Sequence, residues 1–405
     1  MRREGPHTQH KMIWIVDVIS WLVVLFIMAP ITVLFVECAA SILPCRSAKK
    51  RADTKRPVVA VIIPAHNEEL LIRRAVGSVI SQLLTGDRLV VIADNCSDQT
   101  ASIAADAGAE VVERHDPTLF NKIYALSHGV DFLSRSPPDV VLIVDADCTM
   151  DPGSVDMLAR AAADKSVPVQ GCYLIESPPN ARGIPAVSAL AVIVKNLVRP
   201  AGLNRLGLPC LLTGSGMAFP WQVIAGAAMD RDDLVEDMQM TVDLSLRGYL
   251  PRFCRDARVI SQLPVGIAAS RQQRTRWEHG HIQSLLKNGP RLFWAGLRRG
   301  NIGLIVLAID LSVPPLSLIV LTWTAALTGA TVAAILGMSW WPALALAGGG
   351  GMLLAAMAMA WGKFARNTVP ASTVFAAPVY ALWKVPLYLA FVLRRQKVWL
   401  RTQRD

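Results

Sequence analysis

A chain of 405 residues has room for two or three domains and a sizeable buried core. A 53% hydrophobic composition excludes an ordinary soluble protein, and the basic residues behind the net charge of +10 gather beside apolar runs. That pattern speaks for membrane-flanking charge rather than nucleic acid, and cysteines at 38, 45, 96, 148, 172, 210 and 254, with no C-x-x-C pair, speak against a disulfide scaffold.

The first element is an apolar run from Met12 to Leu34, broken only by Asp17 and Pro30. It is long enough to cross a hydrocarbon core of ~30 Å. Arg46, Lys49, Lys50, Arg51, Lys55 and Arg56 follow it, against Arg2, Arg3 and Lys11 before it. The charge bias predicts an anchor helix with its N-terminus outside and the next domain cytoplasmic.

Residues from 57 to about 260 alternate strand and helix signals, the pattern of an α/β domain with a mainly parallel sheet. Residues 58–63, 89–92 and 140–144 predict buried strands, and 68–82 a helix. Ligands bind beyond the carboxyl ends of such strands. Ala65, His66, Asn67 and Glu68 follow the first strand, where a turn can present N–H groups and an acceptor to a nucleobase. Asn67 as a helix N-cap explains the same residues. Asp94 ends the second strand and can accept a hydrogen bond from a base or ribose, while an Asx turn with Asp98 capping the next helix is the structural alternative. Asn121-Lys122 opens a helical stretch, where a lysine can meet a phosphate.

Asp145-Ala146-Asp147 follows the third strand. Alternating carboxylates there can hold Mg²⁺ or Mn²⁺ against a diphosphate. Residues 182–199 read as an amphipathic helix on the bilayer surface. Thr213-Gly214-Ser215-Gly216 allows close backbone approach to a ligand. Glu236-Asp237 stands in the first turn of a helical run, 234–246, which the helix dipole explains, as does a general base for an acceptor hydroxyl. Gln273, Arg276 and Trp277 share one helix face, two of them suited to a diphosphate and the indole to a sugar ring. His279 and His281 do not face each other on a helix, so no metal is expected there. Residues 287–299 read as a second surface helix, and 302–327 and 343–361 as spans in which the glycines at 348–351 bring helices close. The segment 375–393 carries Pro378, Lys384 and Pro386. A full span there would place the C-terminal Arg394, Arg395, Lys397, Arg401 and Arg404 outside, so an interfacial or re-entrant path is expected.

Asp94, Asp145-Ala146-Asp147, Glu236-Asp237 and Gln273-x-x-Arg276-Trp277, in this order, resemble the membrane-bound family 2 glycosyltransferases, the group of cellulose, chitin and hyaluronan synthases and ceramide glucosyltransferase. The chain departs from that pattern at Ala93-Asp94, where the family usually has two consecutive Asp residues. The resemblance implies a GT-A fold and an inverting transfer from a UDP-sugar. It places Ala65, His66, Glu68, Asp94, Lys122, Asp145, Gln273 and Arg276 at the donor and Asp145 and Asp147 at the metal. Asp237, with Glu236, is then the catalytic pair, and Thr213, Gly214, Ser215 and Trp277 lie on the acceptor side. The expected organisation is an anchor over 1–45, a cytoplasmic glycosyltransferase domain over 46–285 and a membrane region over 286–405 of an inner-membrane, multi-pass protein. The expected acceptor is a polysaccharide or a lipid-linked glycan. Single addition to a glycolipid is the alternative within enzymes, and a permease with a nucleotide-sensing domain the alternative outside them.

Overall fold

The computed structural model describes residues 6–44, 55–176, 183–227, 235–262 and 267–393. Arg2, Arg3, the basic flank 46–51, Arg182, Leu234 and the basic residues 394–404 lie outside the described residues. Helix α1 (Pro6–Ile42) extends the apolar run at both ends. An α/β unit follows, with β1 (Val59–Ala65), α2 (Ile72–Ile80), β2 (Arg88–Asp94), α3 (Thr100–Asp106) and β3 (Glu110–Arg114). It continues with α4 (Lys122–Leu133), β4 (Val140–Ile143), β5 (Cys148–Met150), α5 (Ser154–Lys165) and β6 (Val169–Glu176). A long helix comes next, α6 (Ile184–Ile193) and α7 (Arg199–Arg205), joined by a π-helical turn at Val194–Val198. The sheet is completed by β7 (Met217–Pro220) and β8 (Arg252–Gln262), with α8 (Trp221–Ala225) and α9 (Glu236–Leu246) between them. The remainder is helical: α10 (Ile267–Arg299), α11 (Ile302–Leu311), α12 (Leu316–Ile335), α13 (Trp341–Ala360), α14 (Thr373–Trp383) and α15 (Val385–Leu393).

The strand order is β3-β2-β1-β4-β7-β6-β8-β5. Strands β3, β2, β1 and β4 run parallel, and β6 pairs in parallel with β8. Strand β7 is antiparallel to both β4 and β6, and β5 to β8. The sheet is therefore mixed, with the expected parallel pairing in four of its seven strand pairs and β5 and β7 reversed. Buried strands of either direction read as the same apolar run, so composition does not reveal the reversal. Strand β1 is apolar throughout because both its faces are covered. Val59, Val61 and Ile63 pack with Val76, Val79 and Leu158, while Ala60 and Ile62 pack with Leu126, Leu133 and Phe219.

Among the described residues, four helices are long and apolar enough to cross a membrane: Trp14–Ile42, Ile184–Arg205, Leu316–Ile335 and Trp341–Ala365. The span expected over 302–327 is instead two helices, α11 and α12, separated at Ser312–Pro315. Pro314 and Pro315 lack N–H donors and disfavour a helical conformation in the residue before each. The helix expected to lie on a surface at 182–199 is also corrected. Ala186, Leu190, Val194 and Val198 pack against Val24, Ile31, Leu34 and Cys38 of α1, and Arg199 is ion-paired with Glu37 and Asp310 inside the protein. Residues 287–299 are the second half of α10, whose Leu292 is buried on Leu304 and Leu307. Helix α10 passes without a break through the expected domain boundary at 285/286. The 375–393 segment forms two helices of 11 and 9 residues. The run of glycines in α13 brings helices close as expected: a Cβ on Gly349 would collide with Met28 of α1, and one on Gly350 with Trp323 of α12.

Candidate active site

Strands β1, β2 and β4 are parallel, so their carboxyl ends share one edge of the sheet. Beyond that edge lies a cleft of about 250 Å³. Of the residues singled out in the sequence, Ala65, His66, Glu68, Asp94, Lys122, Asp145, Asp147, Thr213, Gly214, Glu236, Asp237, Gln273, Arg276 and Trp277 line it. Of the residues that the resemblance places at donor, metal, base or acceptor, Ser215 does not line it. It is fully buried behind the wall, and its hydroxyl accepts a hydrogen bond from Asp145 N–H at 3.0 Å. Its place is therefore to hold the end of β4 rather than to meet an acceptor.

The loops after β1 and β2 are tied together. Asn67 and Asn95 both adopt positive φ, 51° and 52°, a conformation asparagine tolerates. Asn67 Oδ1 accepts from Ser97 N–H at 2.8 Å, and His66 Nδ1 donates to the Asp94 carbonyl at 2.6 Å. Asn67 therefore joins two loops and does not cap α2, which starts at Ile72. Asp98 accepts from Thr100 N–H at 3.0 Å, the Asx turn expected into α3. The Asp94 carboxylate receives Arg114 at 2.5 Å and Asn95 Nδ2 at 3.1 Å.

Lys122, at the start of α4, sits at the centre of the cleft. Its ammonium is ion-paired with Asp145, lies 3.6 Å from Glu236, and donates to the Gly214 carbonyl at 2.8 Å. Burial opposes its charge, but Asp145 and Glu236 outweigh burial and raise its pKa. Burial raises the pKa of Asp145, and Lys122 opposes the rise. Asp237 is pushed up to about 6, first by burial and then by the Glu236 charge, against the pull of Lys195. Its Oδ1 accepts from Met238 N–H at 2.8 Å in the first turn of α9. Gly214 has φ +93°, and a Cβ there would lie 3.4 Å from Asp237 Oδ2, so glycine keeps the backbone close to this carboxylate.

Ligand atoms of Asp145, Asp147 and Cys148 lie within 4.8 Å of one another. Burial, then the Asp147 charge, drives the Cys148 thiol well above its ordinary pKa. The two carboxylates would offer a hard cation an oxygen set, the kind of ligand it prefers. Asp147 accepts from the Ser261 hydroxyl at 2.9 Å and from the Cys148 thiol at 3.4 Å.

The opposite wall comes from helices. Gln273, Arg276 and Trp277 of α10 and Lys195 and Asn196 of the 184–205 helix line it together. No motif marks Lys195 or Asn196, nor Arg114. The available signal was a Lys-Asn pair interrupting an otherwise apolar helix. Gln273 Oε1, Asn196 Oδ1 and Thr213 Oγ1 are buried with no hydrogen-bond partner among the described residues. His279 Nε2 donates to the Leu387 carbonyl at 2.9 Å and His281 Nε2 to that of Leu311 at 3.2 Å, so the two rings serve different contacts.

The family described as "Glycosyltransferase like family 2" matches residues 56–280. The "Probable glycosyltransferase YdaM" of Bacillus subtilis is 26% identical over 242 residues, 57% of each chain. The "Probable glucomannan 4-beta-mannosyltransferase 10" of Arabidopsis thaliana is 27% identical over 276 residues, 60% of this chain and 47% of its own. The chain thus spans about half the length of these relatives. Among solved structures, a mannosyltransferase from Pyrobaculum calidifontis superposes with a TM-score of 0.56 at 19% identity, over 91% of this chain and 99% of its own. That likeness identifies the GT-A fold. With the match running from the residues before β1 into α10, through every acidic site of the cleft, the chain belongs to glycosyltransferase family 2.

Proposed function

We propose that the protein transfers a sugar from a nucleoside-diphosphate sugar, a UDP-sugar by the resemblance, to an acceptor hydroxyl with inversion, at the cytoplasmic face of a membrane. The acceptor is a polysaccharide or a lipid-linked molecule. The observation that carries this is the cleft itself. It joins paired carboxylates, a raised-pKa Asp237 and three buried polar atoms with no partner among the described residues, and such atoms point to a polar ligand.

His66 and Asp94 take the base and ribose, and Gln273 and Arg276 the diphosphate. Asp145 and Asp147 hold Mg²⁺ or Mn²⁺. When bound, the cation offsets charge on the leaving diphosphate. The Pyrobaculum structure holds GDP-Man and Mn²⁺. Lys122, fixed between Asp145 and Glu236, adds a cation on the same side. Asp237 accepts the proton of the acceptor hydroxyl as that oxygen attacks the anomeric carbon, and the nucleoside diphosphate leaves. A pKa near 6 leaves Asp237 ionised at neutral pH yet more basic than an exposed aspartate. Trp277 offers a face to the sugar. Helices α1, α12 and α13 carry the membrane spans.

The test is a screen of UDP-Glc, UDP-GlcNAc, UDP-Gal, UDP-GlcA and GDP-Man for nucleotide release with and without Mn²⁺ or Mg²⁺. Metal-dependent release from one donor supports the proposal. Release from none, or release indifferent to chelation, overturns it.

A further inference from the structure

A second cavity of about 130 Å³ adjoins the cleft. Ile175, Val192, Lys195 and Trp277 line both, so the two spaces share one wall at the indole and the Lys195 ammonium. From there the second cavity runs between Ala189 of α6, Val313 before α12, and Leu34, Leu316 and Ile319, which belong to two of the apolar helices long enough to span a membrane. It therefore links the catalytic edge of the sheet to the place where those helices meet the α/β unit.

Several of its polar groups are already engaged, although Ser188, Lys195 and Arg274 line it as well. Arg199 is ion-paired with Glu37 at 2.6 Å and with Asp310. Glu278 is held by Lys384 and by the Tyr388 hydroxyl, and Ser317 meets that same hydroxyl at 2.6 Å. His281 donates to a carbonyl. A glycan strand needs many free donors and acceptors along its path, because each buried unpaired hydroxyl is costly. Apart from Lys195 and Arg274, the rest of this wall offers mainly proline, leucine, valine and alanine. An apolar chain is stabilised there by leaving water.

We infer that the second cavity seats the apolar chain of a lipid acceptor, whose hydroxyl-bearing head emerges beside Trp277 toward Asp237. The inference rests on the reading of the donor cleft and adds to it the class of acceptor. No bond changes within the cavity: the acceptor hydroxyl loses its proton to Asp237 in the cleft, and the apolar chain serves only to position it.

The test uses the full chain in phosphatidylcholine nanodiscs doped with a monoacylglycerol carrying a diazirine in its acyl chain. Illumination and peptide mapping are done with and without excess unlabelled monoacylglycerol. Labelling of the peptides around Ala189 and Val313–Ser317 is expected to be lost on competition, while labelling of lipid-facing residues such as Leu354 of α13 persists. Labelling that is absent at the cavity, or equally resistant to competition at both places, overturns the inference. Ala189→Trp, which fills the cavity, is expected to lose the saturable labelling. In parallel, binding of UDP with Mn²⁺ is measured by titration. Absence of nucleotide binding strikes the donor reading without touching the labelling result. Nucleotide binding with no saturable label strikes the lipid cavity alone. A water-soluble polymeric product from the active donor identifies a glycan acceptor and also overturns the inference.

Discussion

At the residue scale the proposed chemistry turns on Asp237. Its pKa lies near 6 because burial and the Glu236 carboxylate both disfavour its charged form. A general base works ionised, so kcat/KM is expected to fall about tenfold per pH unit below that value and to level off above it. A pH profile flat between 5 and 7 would contradict the role. Among the metal candidates, Asp147→Asn is expected to raise the Mn²⁺ concentration needed for half-activation by at least about tenfold, the usual scale for losing even an indirect metal contact. Cys148→Ala is expected to leave it unchanged, since a hard cation prefers the carboxylate oxygens to a sulfur ligand. A Mn²⁺ titration of both variants checks this. Most of these residues were legible in the sequence because carboxylates past strand ends and the Gln273-x-x-Arg276-Trp277 spacing carry their chemistry locally. Lys195 was not, because its partner Asp237 is 42 residues away in sequence (237 − 195) and the intervening chain passes through β7. Ser215 misled for the opposite reason: it sits in the expected loop, but its hydroxyl turns inward to Asp145.

At the scale of elements, α14 and α15 act as a brace on α10. Lys384 and Tyr388 both bind Glu278, and the Leu387 carbonyl takes His279, the two residues directly after Trp277. Lys384 is only 5% exposed. Removing its charge leaves Glu278 poorly compensated, so Lys384→Met is expected to cost about 3–5 kcal/mol of stability. The double variant with Glu278→Gln is expected to recover most of that loss. Thermal unfolding in detergent reads both, and additive losses would show that the pair is not coupled. The sequence signalled an irregular segment at 375–393 through Pro378, Lys384 and Pro386, but not what the lysine binds. It also showed the two prolines that separate α11 from α12, which a hydropathy window averages away. The reversed strands β5 and β7 left no local trace, since strand direction is set by where the preceding chain returns to the sheet.

For the whole molecule, the α/β unit is joined to its apolar helices by buried polar and close-packed contacts. Arg199 bridges Glu37 of α1 and Asp310 of α11, and the glycines of α13 let it pack on α1 and α12. Gly349→Val would force a side chain into Met28 and is expected to cost about 1–3 kcal/mol, read as a lower unfolding temperature. An unchanged temperature would mean that α1 and α13 do not pack this way in a bilayer. The helix 184–205 has the length and apolarity of a span, yet it forms the wall between α1 and the cleft. Hydropathy alone cannot separate these two uses of an apolar helix, since both bury it away from water.

The central claim is that Asp237 takes the acceptor's proton while the neighbouring carboxylates serve the donor. The most direct measurement compares wild type with Asp237→Asn for metal-dependent nucleotide release and, on the same preparations, for UDP binding with Mn²⁺. Release is expected to fall by about 10²–10⁴-fold while UDP binding stays intact. Release at the wild-type rate from a variant that still binds UDP would contradict the claim.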